Sequence, residues 1–348
     1  MRNEETIIGL DDLILITGSN GFIGSKVVET LVRRGFTNLR CFVRPSSNLQ
    51  RLERVLSTAP GVHAEIIEGN LLSRDDCAKV AAGVKVIYHL AAGIEKTFPG
   101  SFMNSVVTTR NLLDAVVRFG VLKRFVNIGS FATYSTWNMR SGQLLDESCE
   151  LETKAVERAE AYTFAKLKQD ELVVEYGKKY KLPYVILRPG AVYGPGGHLT
   201  SRVGIDTFGV FLHLGGSNQI PLTYIDNCAE AIVLAGVKPG VDGEAFNIVD
   251  DDLPTSRKFL RLYKRHGKDF RSIYVPYPVF YAFSWAWERY SEWSQGQLPP
   301  TFNRRRCATY WKGNRYSNQK LKDRLGWKPI VPFPEASRRY FEHVKKAS

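Results

Sequence analysis

A glycine-rich segment near the N-terminus constrains the fold more than any other feature of the chain. Residues 17–24 read Thr-Gly-Ser-Asn-Gly-Phe-Ile-Gly. The apolar run over 13–16 is typical of a short buried strand, and the run over 25–34 has its apolar residues on one helical face. Strand, glycine turn and helix in this order form the context of a dinucleotide-binding fingerprint. The segment therefore predicts the first βαβ unit of a nucleotide-binding sheet.

The glycines of this loop have separate roles. Their spacing is Gly-x-x-Gly-x-x-Gly, which differs from the usual Gly-x-Gly-x-x-Gly of the fingerprint. Gly18 permits the tight turn, Gly21 lets the backbone approach a pyrophosphate, and Gly24 lets helix and strand pack closely. The phosphates then meet the backbone N–H groups at the helix N-terminus. We expect the dinucleotide contacts of this segment to come from Gly18, Asn20, Gly21, Phe22, Ile23 and Gly24.

A tyrosine and a lysine four residues apart form the candidate catalytic pair. On a helix, Tyr162 and Lys166 would share one face, so that the ammonium lies beside the phenol. A free phenol has a pKa of about 10, and a nearby cation favours the phenolate. Such a pair is common by chance. About 140 residues after a dinucleotide loop, it predicts proton transfer to or from a substrate hydroxyl.

Strands alternate with helical patterns through the first half of the chain. The candidate strands are 13–17, 39–43, 64–67, 85–89, 124–129 and 184–188. This alternation predicts an α/β fold, a Rossmann-type doubly wound parallel sheet with a smaller C-terminal substrate lobe. We expect an NAD(P)-binding domain over 12–190, with 222–249 returning to the sheet. The substrate-binding lobe would comprise 191–221 and 250–342.

At the glycine loop and the Tyr-Lys pair, the chain resembles the extended short-chain dehydrogenase/reductase superfamily. The resemblance is to its NAD-dependent epimerase/dehydratase branch, with 3β-hydroxysteroid dehydrogenase-like members second, and it spans about residues 12–342. Further landmarks of that family occur in order at 89–92 (His-Leu-Ala-Ala), 127–134, 187–195, 223–226 and 325–329.

The resemblance implies roles for individual residues. Ser130 would complete a catalytic triad with Tyr162 and Lys166 and would steady the carbonyl oxygen, while Lys166 would also reach the nicotinamide ribose. The remaining cofactor contacts that it implies are Asn70, Leu71, Leu90, Ala91, Ala92, Tyr162, Lys166, Pro189 and Val192. Asn70 stands where the family usually has Asp, and its amide oxygen can still accept from the adenine amino group.

The residue after the second strand bears on the choice of cofactor. NAD enzymes usually have an acidic residue at the end of that strand, where this chain has Val43 followed by Arg44. An arginine can hold the 2′-phosphate of NADP by charge-assisted hydrogen bonds. We therefore favour NADP over NAD. The alternative is that Arg44 only stacks on adenine, which would suit either cofactor.

Two departures from the family pattern limit the reaction. Family dehydratases carry Asp-Glu where this chain has Phe131 and Ala132, so elimination of water is not expected. The helix around 105–113 has Ser105 in place of the family's Asn, which puts a proton relay through that position in doubt. Epimerisation and simple dehydrogenation at a secondary alcohol or ketone both remain open.

Two substrate classes compete. A sugar nucleotide is the first, because arginines of the C-terminal lobe hold the diphosphate in such enzymes; Arg202, Arg305 and Arg306 are the candidates here. The aromatic stretch 275–287 instead resembles the apolar lobe of hydroxysteroid-type members, which favours a sterol or other lipid alcohol. A third alternative is a cofactor-binding regulator without turnover, against which the intact triad counts.

Composition agrees with a globular enzyme of 348 residues, with 44% hydrophobic and 24% charged residues. The five cysteines are scattered, so we expect neither disulfides nor a metal site, and a cytoplasmic location. The basic surplus of 257–348 exceeds the net charge of +13. Together with the aromatic stretch, it leaves peripheral membrane contact open. We expect a small-molecule substrate, no nucleic-acid partner and, from the resemblance, a homodimer.

Overall fold

The computed structural model describes residues 5–93, 95–197, 199–207, 209–266, 270–295 and 297–347. The strands are β1 (Ile14–Thr17), β2 (Asn38–Val43), β3 (His63–Glu68), β4 (Val86–His89), β5 (Arg124–Ile128), β6 (Leu144–Leu145), β7 (Tyr184–Pro189), β8 (Ala191–Tyr193), β9 (Gly204–Thr207), β10 (Val210–His213), β11 (Leu222–Tyr224), β12 (Glu244–Ile248), β13 (Ser272–Tyr274) and β14 (Arg315–Tyr316).

The α-helices are α1 (Phe22–Arg33), α2 (Gln50–Ser57), α3 (Arg74–Ala81), α4 (Phe98–Ser101), α5 (Thr108–Phe119), α6 (Ala161–Tyr180), α7 (Ile225–Val237), α8 (Ser256–His266), α9 (Tyr277–Trp293), α10 (Arg304–Trp311), α11 (Gln319–Leu325) and α12 (Phe333–Ala347). A π-helix over Phe102–Val107 runs directly into α5. The helix expected around 105–113 is therefore a π-helix up to residue 107 and an α-helix from residue 108. A short 3₁₀ turn, Phe131–Thr133, follows β5.

Seven parallel strands form the central sheet, in the order β12-β7-β5-β4-β1-β2-β3. The chain builds outward from β1 to β3 and then crosses back to β4 on the other side of β1. This reversal creates the crevice in which doubly wound folds bind ligands. β12 comes from the segment 222–249 and pairs with β7 at one edge. The predicted α/β fold with a doubly wound parallel sheet is confirmed.

Helices cover both faces of the sheet, and this explains why its strands are apolar throughout. Successive residues of β1 point to opposite faces. Ile14 packs in a core with Val28 of α1 and with α7, whereas Leu15 packs in a second core with Leu112 of α5 and Val173 of α6. All of these side chains are buried. The sheet is therefore rigid, and the residues after its strands are held in fixed positions.

The C-terminal part of the chain adds a lobe with its own core. A three-stranded sheet, β13-β10-β9, lies in this part. Its aromatic core includes Phe259 of α8 and Tyr340 of α12, whose rings stack at 6.1 Å. The division into two domains at the predicted boundaries stays a prediction. Among the helices within the described ranges, none is long and apolar enough to cross a membrane.

Candidate active site

The glycine loop has the geometry that a dinucleotide requires. Gly18 has a φ of +68°, which a residue with a side chain rarely adopts, and a Cβ there would lie 3.1 Å from the Ala91 nitrogen. A Cβ at Gly24 would overlap Gly18 O and lie 3.0 Å from the Ser19 Cα. Gly21 is the N-cap of α1 and places no side chain over the helix terminus. The backbone N–H groups of the first turn of α1 thus remain open to an anion.

The other predicted cofactor residues lie at the same edge of the sheet, because they follow the carboxyl ends of parallel strands. Arg44 follows β2 and its side chain is exposed. Asn70 follows β3, and its side-chain oxygen accepts a hydrogen bond from Leu72 N at 3.0 Å. Ala91 follows β4 and donates its N–H to Thr17 Oγ1 at 3.2 Å. The structure therefore gathers one residue from each of these strand ends beside the glycine loop.

The rest of the predicted cofactor set lies at this edge too. Its members are Asn20, Phe22 and Ile23 in the loop and α1, Leu71 after β3, Leu90 and Ala92 after β4, Pro189 at the end of β7 and Val192 in β8. Asn20 donates to Asn48 O, so it joins the loop to the segment after Arg44. Val192 packs against the hydrophobic core that the sheet forms with α1 and α7.

Ser130 and Tyr162 meet in the crevice beyond β5. Ser130 directly precedes the 3₁₀ turn, and its hydroxyl oxygen accepts from Ala132 N at 3.1 Å. Burial raises the pKa of the Tyr162 phenol above its ordinary value, and a hydrogen bond with the Ser130 side chain opposes that change. A phenol with a raised pKa is protonated near neutral pH. Tyr162 is therefore set to donate a proton.

Lys166 is buried one helical turn after Tyr162. Its Nζ donates to Ile128 O at 2.6 Å and to Gln169 Oε1 at 2.9 Å. Burial lowers the pKa of the ammonium to about 8, and the Asp170 carboxylate acts in the opposite direction. The sequence predicted that the ammonium lowers the pKa of Tyr162. In the structure burial dominates instead, and the ammonium is bonded to the end of β5 and to its own helix.

Asp170 continues this buried face of α6. Its carboxylate accepts from Asn127 Nδ2 at 2.8 Å and pairs with Arg188 at 3.4 Å. Both charged side chains are almost fully buried. Arg188 lies on β7, so the ion pair joins α6 to the sheet directly below the Ser130 and Tyr162 positions. Sequence analysis missed this support, although a polar residue four after Lys166 falls on the same face of the helix.

The structure also brings together residues that sequence analysis did not select. Tyr310 on α10 hydrogen-bonds to Glu160 and lies close enough to Tyr162 to contribute to its raised pKa. The guanidinium of Arg202 lies 4.8 Å from the centre of the Tyr310 ring, and that of the fully buried Arg158 lies 5.7 Å from it. Arg202, one of the predicted substrate arginines, thus lies close to the surroundings of Tyr162.

Arg305 and Arg306 are held by carboxylates of the segment before α6. Arg305 donates to Glu152 at 3.1 Å and its guanidinium lies 5.0 Å from the centre of the Trp137 ring. Arg306 pairs with Glu160 at 3.4 Å. These ion pairs neutralise two cations that were predicted to contact substrate. Within the described ranges, no group of three or more His, Cys, Asp or Glu is arranged to hold a metal ion.

Comparison with known proteins identifies the family. The model of the NAD dependent epimerase/dehydratase family matches residues 14–249. An Arabidopsis thaliana 3beta-hydroxysteroid-dehydrogenase/decarboxylase is 25% identical over 95% of this chain and 80% of its own length. An uncharacterized UDP-glucose epimerase of Bacillus subtilis is 28% identical over 68% of this chain and 76% of its own length.

Solved structures share the fold. The UDP-glucuronic acid 4-epimerase of Bacillus cereus, crystallised in complex with NAD, superposes with a TM-score of 0.71 at 21% identity, covering 96% of this chain and 99% of that one. The UDP-glucose 4-epimerase of Thermotoga maritima gives 0.69 at 20% identity, with coverages of 96% and 99%. The chain belongs to the NAD-dependent epimerase/dehydratase family of the extended short-chain dehydrogenase/reductases and is an NAD(P)-dependent enzyme.

Proposed function

We propose that this enzyme interconverts a secondary alcohol and a ketone by hydride transfer, with Ser130, Tyr162 and Lys166 as its catalytic residues. The observation that carries this proposal is the contact of Ser130 with Tyr162 at the carboxyl end of the sheet, beside the glycine loop. At Gly24 the start of α1 lies so close to Gly18 that a Cβ would overlap Gly18 O, and no side chain at Gly21 covers the N-terminus of α1. Both features fit a bound dinucleotide. That cofactor supplies a nicotinamide that accepts or gives the hydride.

The chain's own residues handle the proton. Tyr162 gives its proton to the substrate oxygen when a ketone is reduced and takes it back when the alcohol is oxidised. Ser130 hydrogen-bonds the same oxygen and stabilises the charge that develops there. The Lys166 ammonium stabilises the phenolate that Tyr162 becomes after giving up its proton. Replacing Tyr162 by Phe removes the proton donor while keeping the ring.

Turnover of substrate and cofactor by the wild type, and its loss in Tyr162→Phe with cofactor binding retained, is the expected result. Equal turnover by both proteins would overturn the assignment of Tyr162. Cofactor binding without turnover by the wild type, across the substrate classes below, would leave a regulator that does not turn over.

A sugar nucleotide is the first substrate class that we propose. The solved structures of similar fold include sugar-nucleotide epimerases, and Arg202 offers a partly exposed guanidinium beside Tyr310. A sterol or other lipid alcohol is the second class. Two observations favour it: the hydroxysteroid relatives align over nearly the whole chain, lobe included, and Arg305 and Arg306 are already paired with carboxylates.

A thermal-shift comparison of UDP- and dTDP-sugars with hydroxysteroids, each with NADP or NAD present, separates the two classes. Stabilisation by sugar nucleotides alone would support the first class. Stabilisation by steroids alone would replace it with the second. Arg202→Ala should abolish the shift that a nucleotide produces, whereas Arg315→Ala, an exposed arginine of β14, serves as a control and should leave it unchanged.

We propose NADP as the preferred cofactor. Arg44 is exposed at the end of β2, and within the described residues its side chain forms neither a hydrogen bond nor an ion pair, so it is free to meet a 2′-phosphate. The affinity of wild type and Arg44→Ala for both cofactors should be measured by titration. Loss of at least tenfold in NADP affinity with little change for NAD is expected. An equal loss for both would indicate stacking on adenine.

We further propose that α9 contacts a membrane surface. Its outward face is a continuous apolar stripe in which Val279, Phe283, Tyr290 and Trp293 are 58%, 44%, 50% and 77% exposed. Spacings of four, seven and three residues put these side chains on one side of the helix. Large exposed apolar patches mark interaction sites. This stripe is therefore a candidate contact surface.

The neighbouring charge favours an anionic lipid surface. Helix α8 has no acidic residue, and Arg257, Arg261 and Arg265 line one shallow depression on it. None of the three forms an ion pair within the described part of the chain. Arg257 lies over the ring of Tyr274, which is exposed three residues before α9, so the cations lie beside the segment that leads into the apolar stripe. Basic residues beside exposed aromatic ones suit shallow insertion among anionic headgroups.

Sedimentation with phosphatidylserine-containing vesicles, and with vesicles of phosphatidylcholine alone, tests this contact. We expect salt-sensitive binding to the anionic vesicles that Phe283→Ser with Trp293→Ser abolishes, while Val156→Ser, an exposed apolar residue elsewhere, leaves it intact. Absence of binding by the wild type would overturn the proposal. Conversion of a dimer to a monomer by the paired substitution would instead assign the stripe to a second copy, the expected homodimer.

A further inference from the structure

A buried chain of hydrogen bonds joins the catalytic lysine to the strand that carries the glycine loop. Gln169 lies on α6 and is fully buried. Its Oε1 accepts from Lys166 Nζ at 2.9 Å, and its Nε2 donates to Thr109 Oγ1 at 2.8 Å. An ammonium can only donate, so the amide must present its oxygen to Lys166 and its nitrogen to Thr109. The orientation of the Gln169 side chain is thereby determined.

The directions of the remaining hydrogen bonds follow from Thr109. Its hydroxyl donates to Ser105 O, because a carbonyl can only accept, and its oxygen is left to accept from both Gln169 and His89. His89 Nε2, at 2.8 Å, must therefore carry a proton. Burial lowers the pKa of His89 to about 3, so the ring is neutral and its Nδ1 accepts from the Thr17 hydroxyl at 2.9 Å.

Thr17 is the last member of this series of hydrogen bonds and lies beside the glycine loop. It is the last residue of β1, directly before Gly18, and its oxygen accepts from Ala91 N. Each hydrogen bond in this sequence has a single possible direction, so one arrangement of protons fits all of them. Satisfied buried networks of this kind are rigid, because breaking any one bond leaves a buried polar group unpaired. Gln169 is the member that touches the catalytic lysine.

The Lys166 ammonium has more N–H groups than this network uses. An ammonium has three N–H groups, and Ile128 O and Gln169 Oε1 take two of them. Within the part of the chain that the structure describes, one N–H remains for the active site. We infer that Gln169 is a positioning residue for the proposed hydride-transfer reaction: its amide nitrogen is held by Thr109, so that its amide oxygen fixes the Lys166 ammonium against Ile128 and keeps it charged. This inference rests on the proposed function for its catalytic consequence only.

The charged groups around Lys166 set the sign of the expected effects. Asp170, with its partner Arg188, is the carboxylate beside it on α6; His89 on β4 is neutral; and the phenols of Tyr162 and Tyr310 lie toward the cleft. Gln169→Met removes an acceptor from the ammonium, so the charged form becomes less stable. Gln169→Glu replaces a dipole with a full negative charge at the same place, so the charged form becomes more stable.

The two substitutions should therefore move the loss of the Lys166 proton in opposite directions. In profiles of kcat/KM against pH, we expect the alkaline limb to move down by about one pH unit in Gln169→Met and up by about one pH unit in Gln169→Glu. We expect kcat to fall at least tenfold in Gln169→Met, with a smaller change in KM. Leu167 is a buried apolar residue of the same helix, and Leu167→Met should leave the alkaline limb of the profile unchanged.

A measurement without substrate separates this inference from the proposed function. Because the folded-state pKa of Lys166 lies below its unfolded value, stability rises as pH increases from about 8 toward the unfolded value of about 10.5. Urea unfolding at several pH values, each protein compared with its Lys166→Met counterpart, isolates that rise. It should begin at lower pH in Gln169→Met and at higher pH in Gln169→Glu.

Opposite displacements in the unfolding experiment support the role of Gln169 even if no tested substrate is turned over. Loss of stability in both variants, with the pH dependence of both experiments unchanged, would mean that Gln169 only fills the core, and it would overturn the inference. Should Gln169→Met fail to fold, Gln169→Glu keeps the side-chain shape and still tests the upward displacement.

Discussion

Replacement of Gly24 by alanine should abolish dinucleotide binding at a modest cost in stability. A Cβ at this position would overlap Gly18 O and would lie 2.9 Å from the Gly18 carbonyl carbon and 3.0 Å from the Ser19 Cα. All three atoms belong to the backbone, so no side chain can rotate away. The start of α1 must therefore move from the loop by about 1 Å to restore ordinary contacts.

The two consequences of this displacement differ in size. Overpacking of a tightly packed site costs about 1–3 kcal/mol. For a chain of 348 residues, with an unfolding entropy of about 2.1 cal/mol/K per residue, that lowers the Tm by roughly 1.5–4 °C. A shift of about 1 Å also breaks hydrogen bonds from the first turn of α1 to a phosphate, each worth about 1.5–3 kcal/mol. The loss of two such hydrogen bonds weakens dinucleotide binding on the order of 100-fold or more.

Thermal unfolding with and without cofactor measures both effects. At a cofactor concentration of about 100 times Kd, the wild type gains about 2.7 kcal/mol, or roughly 4 °C. The Gly24→Ala protein should gain less than about 1 °C. Gly61→Ala is the control, because a Cβ there meets nothing within 4 Å. A Gly24→Ala protein that the cofactor stabilises as much as the wild type would refute the assignment of this loop to the pyrophosphate.

Other predictions concern the buried polar groups below the site. Asp170→Asn should lower the free energy of unfolding by about 3–5 kcal/mol in urea titrations, because it leaves Arg188 buried without its partner. Glu171→Gln, which breaks an exposed pair with Lys168 on the same helix, should cost less than about 1 kcal/mol. The folded-state pKa of His89, lowered to about 3, gives stability that is present above pH 6.5 and is lost as pH falls. The advantage of wild type over His89→Gln should therefore shrink by about 2–3 kcal/mol between pH 7 and pH 4.5; a constant difference would mean that this histidine is charged in the folded protein.

The sheet and the glycine loop could be predicted because their signals are local. Six apolar runs separated by helical patterns became six strands of the central sheet, and the glycine spacing by itself indicated where strand gives way to helix. The predicted ends fall within about two residues of the observed ones. Buried parallel strands are apolar on both faces, so each is recognisable without knowledge of its partners.

Part of the polar support below the site can also be predicted from the sequence. Positions 162, 166, 169, 170 and 173 share one face of α6; residues 166, 169, 170 and 173 are buried there, and Tyr162 is partly buried. Polar residues at 169 and 170 lie on the face that also carries the proposed catalytic pair, and this indicates side chains that support the pair and do not face solvent. The π-helix before α5 had no comparable signal, yet its last turn delivers Ser105 O to the Thr109 hydroxyl.

Contacts between distant segments set the limit of prediction. Tyr310 meets Arg202 and the surroundings of Tyr162 only because the C-terminal lobe folds back over the carboxyl edge of the sheet. Arg305 and Arg306 were predicted to contact substrate because of their position in the C-terminal lobe. That position carries no information on Glu152 and Glu160, which lie about 150 residues earlier and pair with them.

Burial acts on Tyr162 and Lys166 in opposite directions, and this suggests how the pair operates. It raises the pKa of the phenol and lowers that of the ammonium to about 8, so the two pKa values move apart and the ammonium becomes the more acidic of the two groups. At neutral pH both groups keep their protons. The phenol can then protonate a ketone oxygen while the ammonium stabilises the phenolate that remains, which favours reduction. Oxidation needs the phenolate first, and the pair must lose a proton for it to form. The Lys166 proton is the more easily lost of the two, so the acceptors at Ile128 and Gln169, which oppose its loss, keep the ammonium charged and able to stabilise the phenolate.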